Sequence, residues 1–376
     1  MRKSFEATLL LAGMIIGVGM FGIPFAFARA GFLLGALELV ILTGVIAAVH
    51  MLYGEVVLHT SGRHRLPGYA KLYLGRTGAR VAWFTALFGN FGTLLLYLIA
   101  GGIFLQTLLA RVVLVPMIVP VVIIAVAGGV TTFFSFRGAV RANGVLTVIL
   151  IGFILLLVAR LAPFIRAGEL LRFNPGAAGI PYGVLLFALS GGIVVPDVIG
   201  FLGGTRQAAR RVLLVGSLIP AFLYLLFAAA VVGVAGHAVS EEAIGGLLPF
   251  AGPEAVLLGS AIGLLAVLTS LIAVSESFQI LLTVDCGLPR RAAWCAVVGV
   301  PLVLYLLHIQ DFTKLLGLIG AVEVGIDAVL ILIMYLVFRR RKAYRVPWWA
   351  VAGVWSVGAM VLVGVGYALW ALLIPA

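Results

Sequence analysis

The chain has 376 residues, 64% of them hydrophobic and 10% charged. A water-soluble domain of this size needs about a quarter of its residues charged, so a soluble globular class is excluded. The net charge of +12 is not laid out as a basic stripe with interleaved aromatics, which excludes nucleic acid as a partner and leaves a topological role for the charge.

Apolar runs of about 20 residues, each long enough to cross the hydrocarbon of a bilayer, recur from end to end. With no water in that layer a run must satisfy its backbone internally, which selects helix; the period-2 alternation of a membrane barrel is absent. The sequence predicts an all-α integral membrane protein of about eleven spans. They lie at roughly 7–29, 32–60, 80–109, 115–134, 139–162, 181–202, 210–236, 255–286, 291–309, 313–338 and 347–373. The intervening segments are too short for a soluble domain, so 1–376 reads as one transmembrane domain. The run after Arg2 and Lys3 is longer than the apolar core of a signal peptide and holds Gly17, Gly19, Gly22 and Pro24. It reads as a retained first helix.

That first span carries four glycines and a proline between Gly13 and Pro24. Relative to Ala, Gly costs a helix about 1 kcal/mol and Pro about 3 kcal/mol, so a break is expected near mid-membrane. In span 2, Glu38 and Glu55 suggest packing or gating partners. The segment Ser61 to Gly75, basic and aromatic, suits an interfacial helix against anionic headgroups. In span 3, Asn90 and Tyr97 are seven apart and share a stripe. Span 6 repeats the pattern of span 1: Ser190, Gly191 and Gly192 precede Pro196 and Asp197. Asp197 suits a cap on the second half-helix, a gate, a proton-binding group or a contact to a substrate amine.

In span 8, Thr269 and Glu276 fall on one stripe with Ser270 beside it. Hydroxyls there either bond back to their own helix or face a cation. Glu276 suggests a carboxyl whose charge changes during a cycle, with a fixed ion pair as the alternative. Cys286 and Cys295 form no metal site, and a disulfide between them is not expected. In span 10, Glu323 and Asp327 are four apart, suited either to sharing a proton or to pairing with Arg137 or Arg141.

Lys and Arg concentrate in alternate connecting segments. A cytoplasmic N-terminus places Arg63, Arg65, Arg206, Arg290 and Arg339 inside, leaving Arg29, Arg111, Arg160, Arg166, Arg172 and Lys314 outside. An inner-membrane, multi-pass protein with its C-terminus outside follows. Spans 1–5 (7–162) and 6–10 (181–338) then form two five-helix units of opposite orientation, with one extra C-terminal helix. Matched Gly/Pro-interrupted segments in two inverted halves point to a transporter's solute site.

The run Gly13-Met-Ile-Ile-Gly-Val-Gly-Met-Phe-Gly-Ile-Pro-Phe-Ala-Phe-Ala28 resembles the first helix of the amino acid/auxin permease group, which includes the bacterial hydroxy and aromatic amino-acid permeases. Leu186 to Asp197 resembles its sixth helix, Leu268 to Leu271 its eighth, and Asp327 to Tyr335 its tenth. The resemblance covers nearly the whole chain. It implies the leucine-transporter fold of the amino acid-polyamine-organocation superfamily, with broken helices 1 and 6, and a symporter of amino acids, whether neutral, hydroxy or aromatic. Glu276 departs from the small or apolar residues expected at its position.

The expected solute site comprises Gly17, Val18, Gly19, Met20, Phe187, Ser190, Gly191, Gly192, Asn90 and Tyr97. The expected coupling set is Thr269, Ser270, Glu276, Asp197 and Glu323, with protons favoured slightly over sodium. By the resemblance, a sodium ion would lie near Ile16, Thr269 and Ser270. No cofactor and no obligatory protein partner is expected. An enzyme is disfavoured because His50, His59, His64, His237 and His308 form no catalytic or metal motif. A channel is disfavoured by the lack of a filter repeat. The remaining alternatives are a transporter of another small solute and a non-transporting amino-acid sensor.

Overall fold

The structure, a computed structural model, describes residues 2–62, 64–134, 139–203, 206–342 and 348–373. Among these every regular element is helical: α1 (Arg2–Ile15), α2 (Gly19–Ala30), α3 (Phe32–Leu58), α4 (Leu66–Leu109), α5 (Ile118–Phe134), α6 (Ala139–Leu161), α7 (Ala167–Leu170), α8 (Gly179–Leu189), α9 (Val195–Leu202), α10 (Arg206–Ala235), α11 (Leu248–Ile280), α12 (Arg290–Leu306), α13 (Phe312–Ile319), α14 (Gly325–Arg341) and α15 (Trp348–Leu373). Seven helical stretches among the described residues are long and apolar enough to cross a membrane, and the bent pair α1/α2 makes an eighth. The helices α5, α12 and α15 lie where the other three spans are expected, and their described apolar stretches are shorter than a membrane crossing needs.

Both expected breaks are present. α1 stops at Ile15, the chain bends by 56°, and α2 resumes at Gly19. α8 stops at Leu189, Ser190 and Gly191 are non-helical, and a short 3₁₀ turn leads into α9. The first break follows from backbone cost and from packing. At Gly19 a Cβ would approach the Ala188 Cα to 2.8 Å, so the two interrupted spans touch where both lose their helical hydrogen bonds.

Two further irregularities were not read from the sequence. Residues 281–285 at the end of α11 and 320–324 between α13 and α14 wind as single π-helical turns. Such turns insert one residue into a helix and often occur at functional sites. Gly75, at φ +73°, kinks α4 and sets a short initial segment from Leu66 apart from the long span, in keeping with the interfacial helix expected there.

Around the breaks, α10 packs on α1 and α3, α11 on α4, α2 on α8, and α14 on α3 and α4. The end of the bundle carrying Arg65, Arg206 and Arg339 is termed the basic end. There Glu55 sits 2.6 Å from the Arg206 guanidinium and 3.7 Å from that of Arg339. Opposite the basic end, Arg160 pairs with Glu254 at 2.8 Å.

Candidate functional site

A cavity of about 1320 Å³, counting its open mouth, lies between the two breaks. Its floor is the first break, with Met14, Ile15, Gly17, Val18 and Gly19, and the second, with Phe187, Ala188, Ser190, Gly192 and Ile193. α3 adds His50 and Tyr53, and α4 adds Asn90, Thr93 and Tyr97. α11 contributes Val274, Ser277 and Phe278, while the α13–α14 span contributes Glu323 and Asp327. Arg65, Leu66 and Pro67 also line it, so the cavity extends toward the basic end. Beyond the break, on the other side, the buried rings of Phe21, Phe104 and Phe227 pack together, Phe21 lying 4.8 Å from Phe104 and 5.8 Å from Phe227.

The breaks leave main-chain groups unused. The Gly17 amide bonds to the Ile15 carbonyl and the Met20 amide to that of Gly17. Among the described residues no acceptor takes the Val18 or Gly19 amide. These lie at the positive end of α2, where an anionic group is stabilised. From the other side, the buried Tyr224 phenol of α10 lies 2.5 Å from the Ile15 carbonyl and 3.1 Å from that of Ala188. One hydroxyl thus joins the last turns of both interrupted helices.

Of the expected solute-site residues, Gly17, Val18, Gly19, Phe187, Ser190, Gly192, Asn90 and Tyr97 line the cavity. Met20 is buried outside the lining. Gly191 also lies outside it. A Cβ there would meet Ile15 at 2.8 Å and Leu11 at 2.9 Å, so Gly191 serves close packing of α1. Asn90 donates to its own helix at Ala86 and shows its remaining amide edge to the cavity wall.

The coupling set is divided. Glu323 lines the cavity, its carboxylate so close to Gly89 that a Cβ there would overlap it. Asp327 lies one turn further and accepts from Thr85 at 2.6 Å. No ion pair to either carboxylate occurs among the described residues; Arg137 and the side chain of Arg141 lie outside them. Thr269 bonds back to the Leu265 and Ala266 carbonyls, the local alternative to ion binding. Ser270 alone of the two turns to the first break, 3.3 Å from where a Gly17 Cβ would stand, with Ile16 buried nearby. Glu276 is half-buried and outside the lining. Asp197 pairs with Arg65 at 2.6 Å at the mouth, and Arg65 also donates to the Ile193 carbonyl.

His50 and Ser217 were not singled out as site residues. A histidine buried in an apolar span was the available signal, but its partners lie 141 and 167 residues away.

Over residues 1–371 the chain matches the tryptophan/tyrosine permease family. It belongs to that family. The chain is 26% identical over 234 residues to tyrosine-specific transport system 1 of Haemophilus influenzae, and 27% identical over 241 residues to system 2 of the same organism. The matched stretches cover 60% and 62% of this chain and only 57% and 59% of those relatives' lengths. Among solved structures, MhsT in complex with L-phenylalanine superposes with a TM-score of 0.72 at 13% identity, covering 97% of this chain and 98% of MhsT. Mhp1, a nucleobase-cation-symport-1 family transporter, gives 0.68 at 15% identity over 98% of this chain and 91% of its own. At these identities the likeness establishes the fold. The chain is a multi-pass α-helical membrane protein with the architecture of those transporters, and its family is not one of enzymes.

Proposed function

We propose that the permease carries an aromatic amino acid across the inner membrane by alternating access, driven by an ion gradient. The observation that carries this reading is the cavity between two broken helices with the Val18 and Gly19 amides unused at its floor. A zwitterion's carboxylate meets those amides, and its ammonium meets carbonyls of the opposite break. The side chain then lies among Phe187, Phe278, Tyr53 and Tyr97, whose rings suit a flat apolar group. Family membership and the tyrosine-specific relatives support the same substrate class.

With the N-terminus cytoplasmic, the basic end is the inner face, and the cavity opens inward through Arg65 while the three phenylalanines seal the outer side. The Thr269 geometry favours protons over sodium as the coupling ion, because only one of the two expected hydroxyls turns to the break. In that scheme the two halves, 7–162 and 181–338, move relative to each other about the fixed site. Uptake of labelled tyrosine, tryptophan and phenylalanine into vesicles containing the purified permease tests the reading. Saturable uptake of at least one of them is expected, competed by the others and not by aliphatic or charged amino acids. Uptake of none would overturn it.

A further inference from the structure

His50 lies in the cavity wall, 2% exposed, and both its ring nitrogens are engaged. Its Nε2 is 3.2 Å from the Gly191 amide nitrogen, in the non-helical stretch of the second break. A backbone N–H can only donate, so Nε2 must present its lone pair and carry no proton. Its Nδ1 is 3.0 Å from the Ser217 hydroxyl on α10, and that hydroxyl lies 2.8 Å from the Leu213 carbonyl. With the Ser217 proton given to Leu213, the serine oxygen accepts from Nδ1–H. The chain of bonds is complete and fixes one neutral tautomer: Gly191 N–H to His50 Nε2, His50 Nδ1–H to Ser217, Ser217 O–H to Leu213.

We propose that His50 is a proton-binding site, and that loading it frees the interrupted segment at Gly191 that frames the solute cavity. This rests on the transport reading above and names the group through which the coupling ion acts. A proton arriving from cavity water forms an N–H bond with the Nε2 lone pair, leaving the imidazolium with a donor on each nitrogen. Gly191 N–H then faces N–H. One hydrogen bond is lost and two donors oppose each other, so the ring and the Gly191 segment separate. Gly191 has little freedom to move toward α1, because Ile15 and Leu11 pack against it. The displacement is therefore directed into the cavity or along α9.

The surroundings decide which charges bear on the ring. α3 packs on α2, α7, α8, α9, α10 and α14, and the Glu169 of α7 is held by Arg172 at 3.0 Å. From these, α9 offers Asp197, already paired with Arg65, and α14 offers Asp327 and its Tyr335 phenol, with Glu323 one turn before Asp327. α10 carries Arg206, Arg210 and Arg211 in its first turns, α8 only the Tyr182 phenol, and α2 Arg29 near its far end. On α3 itself Tyr53 lies one turn further along, and Glu55 is held by Arg206 and Arg339. Two carboxylates, Glu323 and Asp327, thus line the same cavity as the ring, with no ion pair to either among the described residues.

The first measurement needs no substrate. In the purified full chain, labelled with ¹⁵N at histidine and glycine, the Gly191 amide signal should shift in step with His50 protonation as the pH is lowered. In His50→Gln, whose side-chain oxygen offers Gly191 an acceptor that does not titrate, the shift should vanish. Ser217→Ala, which strips the acceptor from Nδ1, should move the midpoint of the Gly191 shift. The second measurement uses vesicles, where His50→Gln should lose accumulation driven by a pH gradient, and its remaining exchange should no longer respond to pH. A Gly191 amide that holds still while His50 titrates, or full gradient-driven accumulation by His50→Gln, would overturn the proposal. A linked titration in a chain that carries no aromatic amino acid would uphold the proton site and sink the functional reading alone.

Discussion

The Tyr224 phenol lies 2.5 Å from the Ile15 carbonyl and within 3.1 Å of the Ala188 carbonyl, so one side chain of α10 bridges the two interrupted spans at the point where each gives up its helix. A hydroxyl has one proton and two carbonyls waiting. Removing it with Tyr224→Phe keeps the buried ring and deletes only the bridge. A buried neutral hydrogen bond of this kind contributes about 1 kcal/mol, with a further cost for the carbonyl left dry. The variant should therefore insert and fold, with a lowered thermal midpoint and a lowered maximal transport rate. Unaltered unfolding and uptake would show that the phenol holds nothing together.

The glycines of the two breaks should not behave alike. A Cβ at Gly19 meets the Ala188 backbone at 2.8 Å, whereas one at Gly192 meets nothing within 4 Å. Overfilling a packed contact costs about 1–3 kcal/mol. Gly19→Ala is expected to abolish uptake and Gly192→Ala to preserve most of it. Equal loss in both, measured at matched membrane abundance, would contradict the geometry.

A similar contrast holds for the hydroxyls of α11. Thr269 spends its hydroxyl on its own helix, while Ser270 faces Gly17 beside the Tyr97 phenol. Thr269→Ala should leave transport and its ion dependence near wild type. Ser270→Ala should raise the substrate concentration needed for half-maximal uptake. The reverse order, read from paired uptake curves, would make Thr269 rather than Ser270 the hydroxyl that transport uses.

Gly89 and Glu323 form the third pair. Glu323→Gln keeps the shape and hydrogen-bonding reach of the side chain and removes its charge. Gly89→Ala pushes the intact carboxyl out of its place, because the added methyl overlaps it. The alanine variant should be the more damaged in thermal stability, by about 1–3 kcal/mol for an overpacked contact. The glutamine variant should show its defect in gradient-driven accumulation rather than in folding. A glutamine variant as unstable as the alanine one would make Glu323 a packing residue.

Much of this layout was legible in the residues. Glycines and prolines at mid-membrane marked both breaks, because their helix penalties act locally and need no partner to be evaluated. The stripe through Thr269 and Glu276 carried less information for a related reason. Helical spacing says which residues share a face and not which way the face turns; the face of α11 that meets the cavity carries Val274, Ser277 and Phe278 instead. His50, Ser217 and Tyr224 were hidden because their roles consist of bonds between elements 36 to 209 residues apart, to one another and to Gly191, Ile15 and Ala188. The pair Glu323 and Asp327 was found by its spacing of four, although a π turn, which no composition signals, carries the first of them.

That turn makes chain length itself a determinant of the site. In an α-helix each residue advances the helix by about 100°, so deleting one residue from 320–324 to restore plain α winding would swing the preceding segment round by about that angle. α13 and everything N-terminal to it in that span would be re-aimed relative to α14, although no carboxylate, hydroxyl or aromatic had been removed. Deleting Ala321 should therefore be more harmful to uptake than replacing it with Ser. A compensating insertion one turn earlier, before Leu316, should restore the facing of the residues upstream of it but not of those between the two edits. Register, rather than residue type, is then the quantity to engineer in this span.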